Sequence, residues 1–332
     1  MNFLQQICET IKAKEISIIV NGQIDWTSPA NPNSIIEDVK CHPSLSEIFK
    51  EGERWIHVID DDDEEQRDDR LRVVAISDTH SFSLYDMELP PGDILIISGD
   101  LTQHGTEKEI RHFEKELGKI FEIFTKKFKH QGIEFCSFFS EAFKEKYREI
   151  LVIAGNHDKY LEQFADKTTL RSITSEQPLS HCTYLLNSSV TICGVKFYGS
   201  PWVPVYRKGV FQLERGQQML ENWQQIPSDT DVLITHCPPL GVLDMNWQGE
   251  VSGCLQLLGQ VATRVKPKFH VFGHIHESYG VFKTNPTIFI NAAVCDRNYK
   301  LTDCVPRQVP IIFDVPLPEG FSKNNFTKSI ES

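Results

Sequence analysis

Short, β-branched apolar runs recur through this chain, and they limit what it can fold into. They are "LRVVAIS" (Leu71–Ser77), "DILIIS" (Asp93–Ser98), "ILVIA" (Ile150–Ala154), "DVLIT" (Asp231–Thr235), "FHVF" (Phe269–Phe272), "TIFIN" (Thr287–Asn291) and "PIIFD" (Pro310–Asp314). Each is nearly continuous in apolar residues rather than alternating, the pattern of a strand buried on both faces. "SSVTICGVKFYGS" (Ser188–Ser200) reads as two more strands around Gly194. Helical patterns lie between the strands. Thr106 and Glu109 stand at capping-box spacing, and Ile110, Phe113 and Leu117 then share one face. Gln212–Ile226 and Gly253–Val265 read the same way. Strands interleaved with helices predict an α/β architecture with helices covering sheets.

The first 70 residues read differently. "EISIIV" (Glu15–Val20) and "RWIHVI" (Arg54–Ile59) predict short strands, and "DDDDEEQRDDR" (Asp60–Arg70) follows. That acidic run lacks the glycine and ligand spacing of a calcium loop and reads as a solvated linker. The expected organisation is an arm over 1–70, packing on a main domain over 71–332. A Phe- and Lys-rich stretch at about 119–149 reads as a helical insertion between core strands.

With 332 residues and 40% hydrophobic content, the chain is long and apolar enough to bury a large core. Its net charge of −12 argues against a partner such as long nucleic acid, whose phosphates demand a basic face. Nine scattered cysteines, none in a C-x-x-C pair, predict reduced core thiols in a cytoplasmic protein. Neither a secretory leader nor a membrane span is expected.

The residues after the strands are more informative. Asp78, Thr79 and His80 follow "VVAIS"; Gly99 and Asp100 follow "DILIIS"; Gly155, Asn156, His157 and Asp158 follow "ILVIA". His236 follows "DVLIT", and Gly273, His274 and His276 follow "FHVF". In open α/β sheets, ligands bind beyond the carboxyl ends of the strands. A single Asp there is usually a helix cap and a single His a surface residue. Five adjacent ends rich in imidazole, carboxylate and amide oxygen imply one metal site. The donors outnumber the four of a tetrahedral ion and suit two ions roughly 3.5–4 Å apart. On an extended strand, His274 and His276 would point to the same face about 6.5 Å apart.

These blocks, D-x-H, G-D, G-N-H-D, T-H and G-H-x-H, resemble those of the calcineurin-like metallophosphoesterase superfamily. "FYGSPWVP", "LITHCPPLG" and "FHVFGHIHESYG" are similar to its metallophosphoesterase-domain-containing (MPPED-type) branch. The likeness runs from about residue 71 to the C-terminus. It implies a four-layer αββα sandwich of two mixed sheets. It also implies that Asp78, His80 and His276 hold one ion, that Asn156, His236 and His274 hold the other, and that Asp100 bridges them. His157 would sit beside the phosphoryl group, with Asp158 or a backbone carbonyl as its orienting partner. Mn is the expected metal, with Fe, Zn, Mg or Co as alternatives.

The resemblance departs at "GDLTQHG", where superfamily protein phosphatases have a second Asp and an Arg after Gly-Asp. The expected function is therefore hydrolysis of small phosphodiesters, such as cyclic nucleotides, by attack of a metal-activated hydroxide. A catalytically weak phosphate- or nucleotide-binding sensor and a protein phosphatase are the competing readings. Trp202, directly after a strand, reads either as a platform on which a substrate base stacks or as ordinary packing under a loop.

Overall fold

A computed structural model describes residues 19–20, 23–24, 56–58, 67–87, 89–126, 147–166, 168–172, 178–301 and 308–331. Most of the arm over 1–70, including Asp60–Gln66 of the acidic run, lies outside the described residues, as does 127–146 of the expected insertion. In chain order the main strands and helices are β1 (Ile56–Val58), β2 (Arg70–Ile76), β3 (Ile94–Ser98), α1 (Glu107–Lys126), β4 (Glu149–Ile153) and β5 (Thr183–Tyr184). Then come β6 (Ser188–Ile192), β7 (Val195–Ser200), α2 (Gln217–Gln224), β8 (Val232–Thr235), α3 (Leu255–Gln260) and β9 (Phe269–Phe272). The last are β10 (Gly280–Lys283), β11 (Ile288–Asn291), β12 (Ile311–Pro316) and β13 (Lys328–Glu331).

The strands form two mixed sheets. The six-stranded sheet has the order β1-β12-β2-β3-β4-β5, and the seven-stranded one has β10-β11-β9-β8-β7-β6-β13. In the first, β2 through β5 run parallel and β12 is antiparallel to β2. In the second, β11, β9, β8 and β7 run parallel, flanked by antiparallel partners. Every residue of β3, β4, β8 and β9 is buried, as their unbroken apolar runs require.

Alternation along each strand divides the core into three layers. Val73, Ala75, Ile96 and Leu151 of the first sheet meet Phe197, Val232 and Val271 of the second. On the outer face of the first sheet, Val74, Leu95 and Val152 pack with Ile110, Phe113 and Leu117 of α1. On the outer face of the second, Leu233 and Phe272 pack with Trp223 of α2 and Leu257 and Leu258. Helix, sheet, sheet and helix give the expected αββα sandwich. The capping box forms: Glu109 N–H donates to Thr106 Oγ1 at 3.2 Å, and Thr106 N–H donates to Glu109 Oε2 at 2.8 Å.

Two local expectations need correction. The helix expected from Gln212 begins at Gln217, because Gln212–Leu213 pairs in parallel with Val203–Pro204. The helix from Leu255 ends in a π-helical turn, Val261–Val265. No helix among the described residues is long and apolar enough to cross a membrane.

Candidate metal centre

The parallel strands of both sheets end at one place, and the loops after β2, β3, β4, β8 and β9 bring eight donor side chains together there. Asp78, His80 and His276 form one cluster. His80, Asp100 and His157 form a second, and Asp100, His236 and His274 a third. Within each, the ligand atoms lie within 4.8 Å of one another. Asn156 joins the third cluster, its Oδ1 3.1 Å from His236 Nε2. Asp100 faces both ways: Oδ1 lies 3.4 Å from His236 Nε2, and Oδ2 lies 3.9 Å from His80 Nε2.

The backbone is bent to make these approaches. Asp78, His80, Asp100 and His274 all have positive φ, at 55°, 42°, 50° and 69°. For residues with a Cβ, such conformations cost on the order of 1–3 kcal/mol each and cluster at functional sites. Two glycines make room. A Cβ on Gly155 would collide with Asp100 Oδ1, and one on Gly273 with Asp78 Oδ2. His274 and His276 therefore do not lie on an extended strand, as the i, i+2 spacing suggested. β9 stops at Phe272; His274 is left-handed and His276 opens a 3-10 turn. The two rings still join separate clusters, placed there by the loop.

Backbone carbonyls fix the imidazoles. Nδ1–H of His236 donates to Ser98 O at 2.9 Å, that of His276 to Asp296 O at 2.8 Å, and that of His157 to Gln103 O at 3.0 Å. A carbonyl only accepts, so each proton sits on Nδ1 and each Nε2 is turned toward the carboxylates. Such outer hydrogen bonds are how proteins orient metal-binding histidines. The orienting partner of His157 is thus the Gln103 carbonyl. Asp158 instead ties two of the loops together. Its carboxylate accepts from Gly155 N, Leu101 N, Thr102 N and Thr102 Oγ1, at 2.8, 3.2, 3.0 and 2.7 Å. Burial, with the Asp100 charge, pushes its carboxyl up to about 7.

The electrostatics call for cations. Asp78 and Asp100 are 0% and 2% exposed, and among the described residues no Lys or Arg pairs with either. Burial works against both charges, yet His276 holds the Asp78 carboxyl below its ordinary range and His236 does the same for Asp100. In return, against the pull of burial, Asp100 lifts His236 to about 9 and Asp78 lifts His276 to about 9. Burial drives His80 to about 4 and His274 to about 3, leaving their rings neutral and able to donate lone pairs. His80 Nδ1 is buried with no hydrogen-bond partner among the described residues. Two carboxylates and neutral imidazoles converging in a desolvated pocket fit a pair of divalent ions.

Trp202 does not join this group. It is 0% exposed, its indole N–H donates to Leu170 O at 3.3 Å, and its ring packs edge-on against Phe211. The chain after β7 turns back under the helix side of the first sheet, so the stacking reading is withdrawn. Trp202→Ala should instead lower stability by about 3–5 kcal/mol, read from the denaturant midpoint. It should leave substrate KM unchanged; a raised KM at full stability would restore the stacking role. Sequence reasoning also passed over Tyr299, whose ring centroid lies 4.7 Å from that of His80, 5.6 Å from His276 and 5.7 Å from His157. The only available signal was the Asp296-x-Asn298 turn pattern, which does not say what the turn packs against.

Comparison with known proteins agrees with this arrangement. The model of the calcineurin-like phosphoesterase family matches residues 71–278, the segment that carries every donor above. UPF0046 protein C25E10.12 of Caenorhabditis elegans is 40% identical over 272 residues, covering 77% of this chain and 85% of that one. Metallophosphoesterase domain-containing protein 1 of Homo sapiens is 37% identical over 268 residues, covering 75% and 72%. UPF0046 protein T07D4.2 of Caenorhabditis elegans is 36% identical over 271 residues, and there the match covers 75% of this chain but 61% of the relative, less than two thirds of its length. The five blocks at the strand ends, the two-sheet sandwich and these matches together establish that the chain belongs to the calcineurin-like phosphoesterase family.

Proposed function

We propose that this chain is a two-metal phosphodiesterase acting on small phosphodiesters, cyclic nucleotides among them. The observation that carries the reading is the position of Asp100, whose two carboxylate oxygens face two different histidine clusters. Asp78, His80 and His276 would hold one ion, and Asn156, His236 and His274 the other, with Asp100 shared. When bound, two such ions supply Lewis acidity and a strong nucleophile near neutral pH. Mn suits the mixed oxygen and nitrogen donor set.

The chain's own residues do the rest. Asn156 contributes to charge stabilisation on the phosphoryl oxygens. His157, with its Nδ1 proton held by Gln103 O, offers Nε2 to the leaving oxygen as a proton donor. After Gly99-Asp100, Leu101 is buried in the core and Thr102 is bonded to Asp158, so neither position presents a cation to a dianion. That favours the singly charged diester over a phosphomonoester or phosphoprotein. A cytoplasmic location is proposed from the reduced thiols: Cys182, Cys193, Cys237, Cys254 and Cys295 are free. The acidic composition supports a small substrate over nucleic acid or membrane as partner.

The test is a substrate panel with purified protein and added Mn: bis-p-nitrophenyl phosphate, p-nitrophenyl phosphate, 2′,3′- and 3′,5′-cyclic nucleotides and a phosphopeptide. The diesters should show the higher kcat/KM, and metal analysis should find two ions per chain. A monoester preference of about tenfold or more would overturn the diester assignment. One ion or none at saturation would overturn the two-metal reading. Binding without turnover would favour the sensor.

A further inference from the structure

Exposed aromatic side chains stand on loops that border the metal centre. Of the exposed large hydrophobic residues, Tyr206 (54%), Trp247 (62%) and Tyr299 (39%) lie on loops anchored to site residues. The Tyr206 loop bends at Arg207 and Lys208, packs Gly209 on Asn156 and is held by Val210 N–H donating to Asn156 O at 3.0 Å. The Trp247 loop is held where Met245 O accepts from Ser278 Oγ at 2.8 Å, two residues beyond His276. The Tyr299 turn is held where Asp296 O accepts from His276 Nδ1. Two of these aromatics already carry a guanidinium: Arg207 lies over Tyr206 at 5.1 Å and Arg297 over Trp247 at 5.9 Å.

Tyr299 is the innermost of the three. Its turn is closed by Asp296 N–H donating to Lys300 O at 2.8 Å and Tyr299 N–H to Asp296 O at 2.9 Å. The Asp296 carboxylate accepts from the backbone N–H groups of Asn298 and Lys300 at 2.8 and 2.9 Å. Tyr299 itself has a φ of 58°, a conformation that bulky residues seldom adopt. This bracing seats its ring edge-to-face on His80 while more than a third of it stays open to solvent.

We infer that Tyr299 is a specificity-determining residue of this centre: its ring forms one wall of a slot, beside His80, His157 and His276, that takes a planar aromatic group of the phosphoester. The inference rests on the phosphoesterase reading and goes beyond it by naming the residue that selects the organic part of the substrate. Tyr299 lies beside both His157 and His80, so a group stacked on it is adjacent to the reacting phosphorus.

The test measures calorimetric binding of phenyl phosphate and methyl phosphate to the Mn-loaded full chain, with metal content determined alongside. Wild type should bind phenyl phosphate about tenfold tighter or more, the scale of one stacking contact. Tyr299→Ala should remove most of that preference, change methyl phosphate affinity by no more than about twofold, and keep both ions. Tyr299→Phe should retain the preference, because the ring and not the hydroxyl makes the slot. An unchanged phenyl-to-methyl ratio in Tyr299→Ala would overturn the slot, as would loss of metal in that variant, which would make the ring a support for His80. Binding is read without turnover, so a silent phosphate-binding module would still show the slot. Failure of wild type to bind phenyl phosphate would overturn the slot alone; the phosphoesterase reading is judged separately, by turnover of bis-p-nitrophenyl phosphate in the same preparation.

Discussion

Asp100→Asn is expected to lower turnover of bis-p-nitrophenyl phosphate by at least about a thousandfold, more than loss of any other single donor. Asparagine has nearly the same shape, so packing around a side chain that is 2% exposed should survive. What changes is the charge, and it changes for both ions at once. Asp100 Oδ1 accepts from His157 N–H at 2.8 Å and lies near His236, while Oδ2 faces His80. An amide can keep its oxygen on only one side; its N–H2 must then point at a group that is itself a donor or at a bound cation. Both affinities should fall, so metal analysis should show fewer than two ions per chain at Mn concentrations that saturate wild type. His274→Ala, which removes a neutral ligand from one side only, provides the contrast, and a circular dichroism spectrum matching wild type would exclude misfolding. An Asp100→Asn protein that keeps two ions and loses less than about tenfold in rate would show that Asp100 does not bridge.

Much of this arrangement was legible in the sequence because it depends on local rules. Unbroken apolar runs such as "DILIIS" mark strands buried on both faces, and the polar residues after them mark one end of a parallel sheet. The Thr106–Glu109 capping box is four residues of local chemistry and forms as read. The errors share a different cause: each concerned where a side chain points once the chain has turned. Trp202 follows a strand as the metal donors do, but Leu170 and Phe211 come from distant parts of the sequence to enclose it. His274 and His276 have strand-like spacing, yet Asp78 accepts from the His274 N–H and helps hold that residue left-handed. Between the two partners left open for His157, the structure chooses a backbone carbonyl, that of Gln103, because the Asp158 carboxylate is turned to the loop after β3. Tyr299 lies more than twenty residues beyond the last histidine, and only the Asp296 carbonyl on His276 brings it back. Long-range contacts decided all of these, and a local pattern carries little information about them.

His157→Ala separates catalysis from metal binding, and its expected effect is a loss of roughly 10²–10⁴ in kcat, the range for a general acid. His157 is not among the residues assigned to hold metal. Its Nε2 stands 3.9 Å from Asp100 Oδ2, and its backbone N–H, which alanine keeps, makes the hydrogen bond to Asp100 Oδ1. Both ions should therefore remain. The Gln103 carbonyl fixes the proton on Nδ1, so Nε2 must carry a second proton if it is to give one away. That requirement yields the finer test. p-Nitrophenolate leaves readily without a proton, whereas an alkoxide does not. If His157 protonates the leaving oxygen, the variant should lose about tenfold more activity on an alkyl diester or a cyclic nucleotide than on bis-p-nitrophenyl phosphate. Equal losses on activated and unactivated esters, with both ions still bound, would show that His157 grips the phosphoryl oxygens and that the leaving group takes its proton from water.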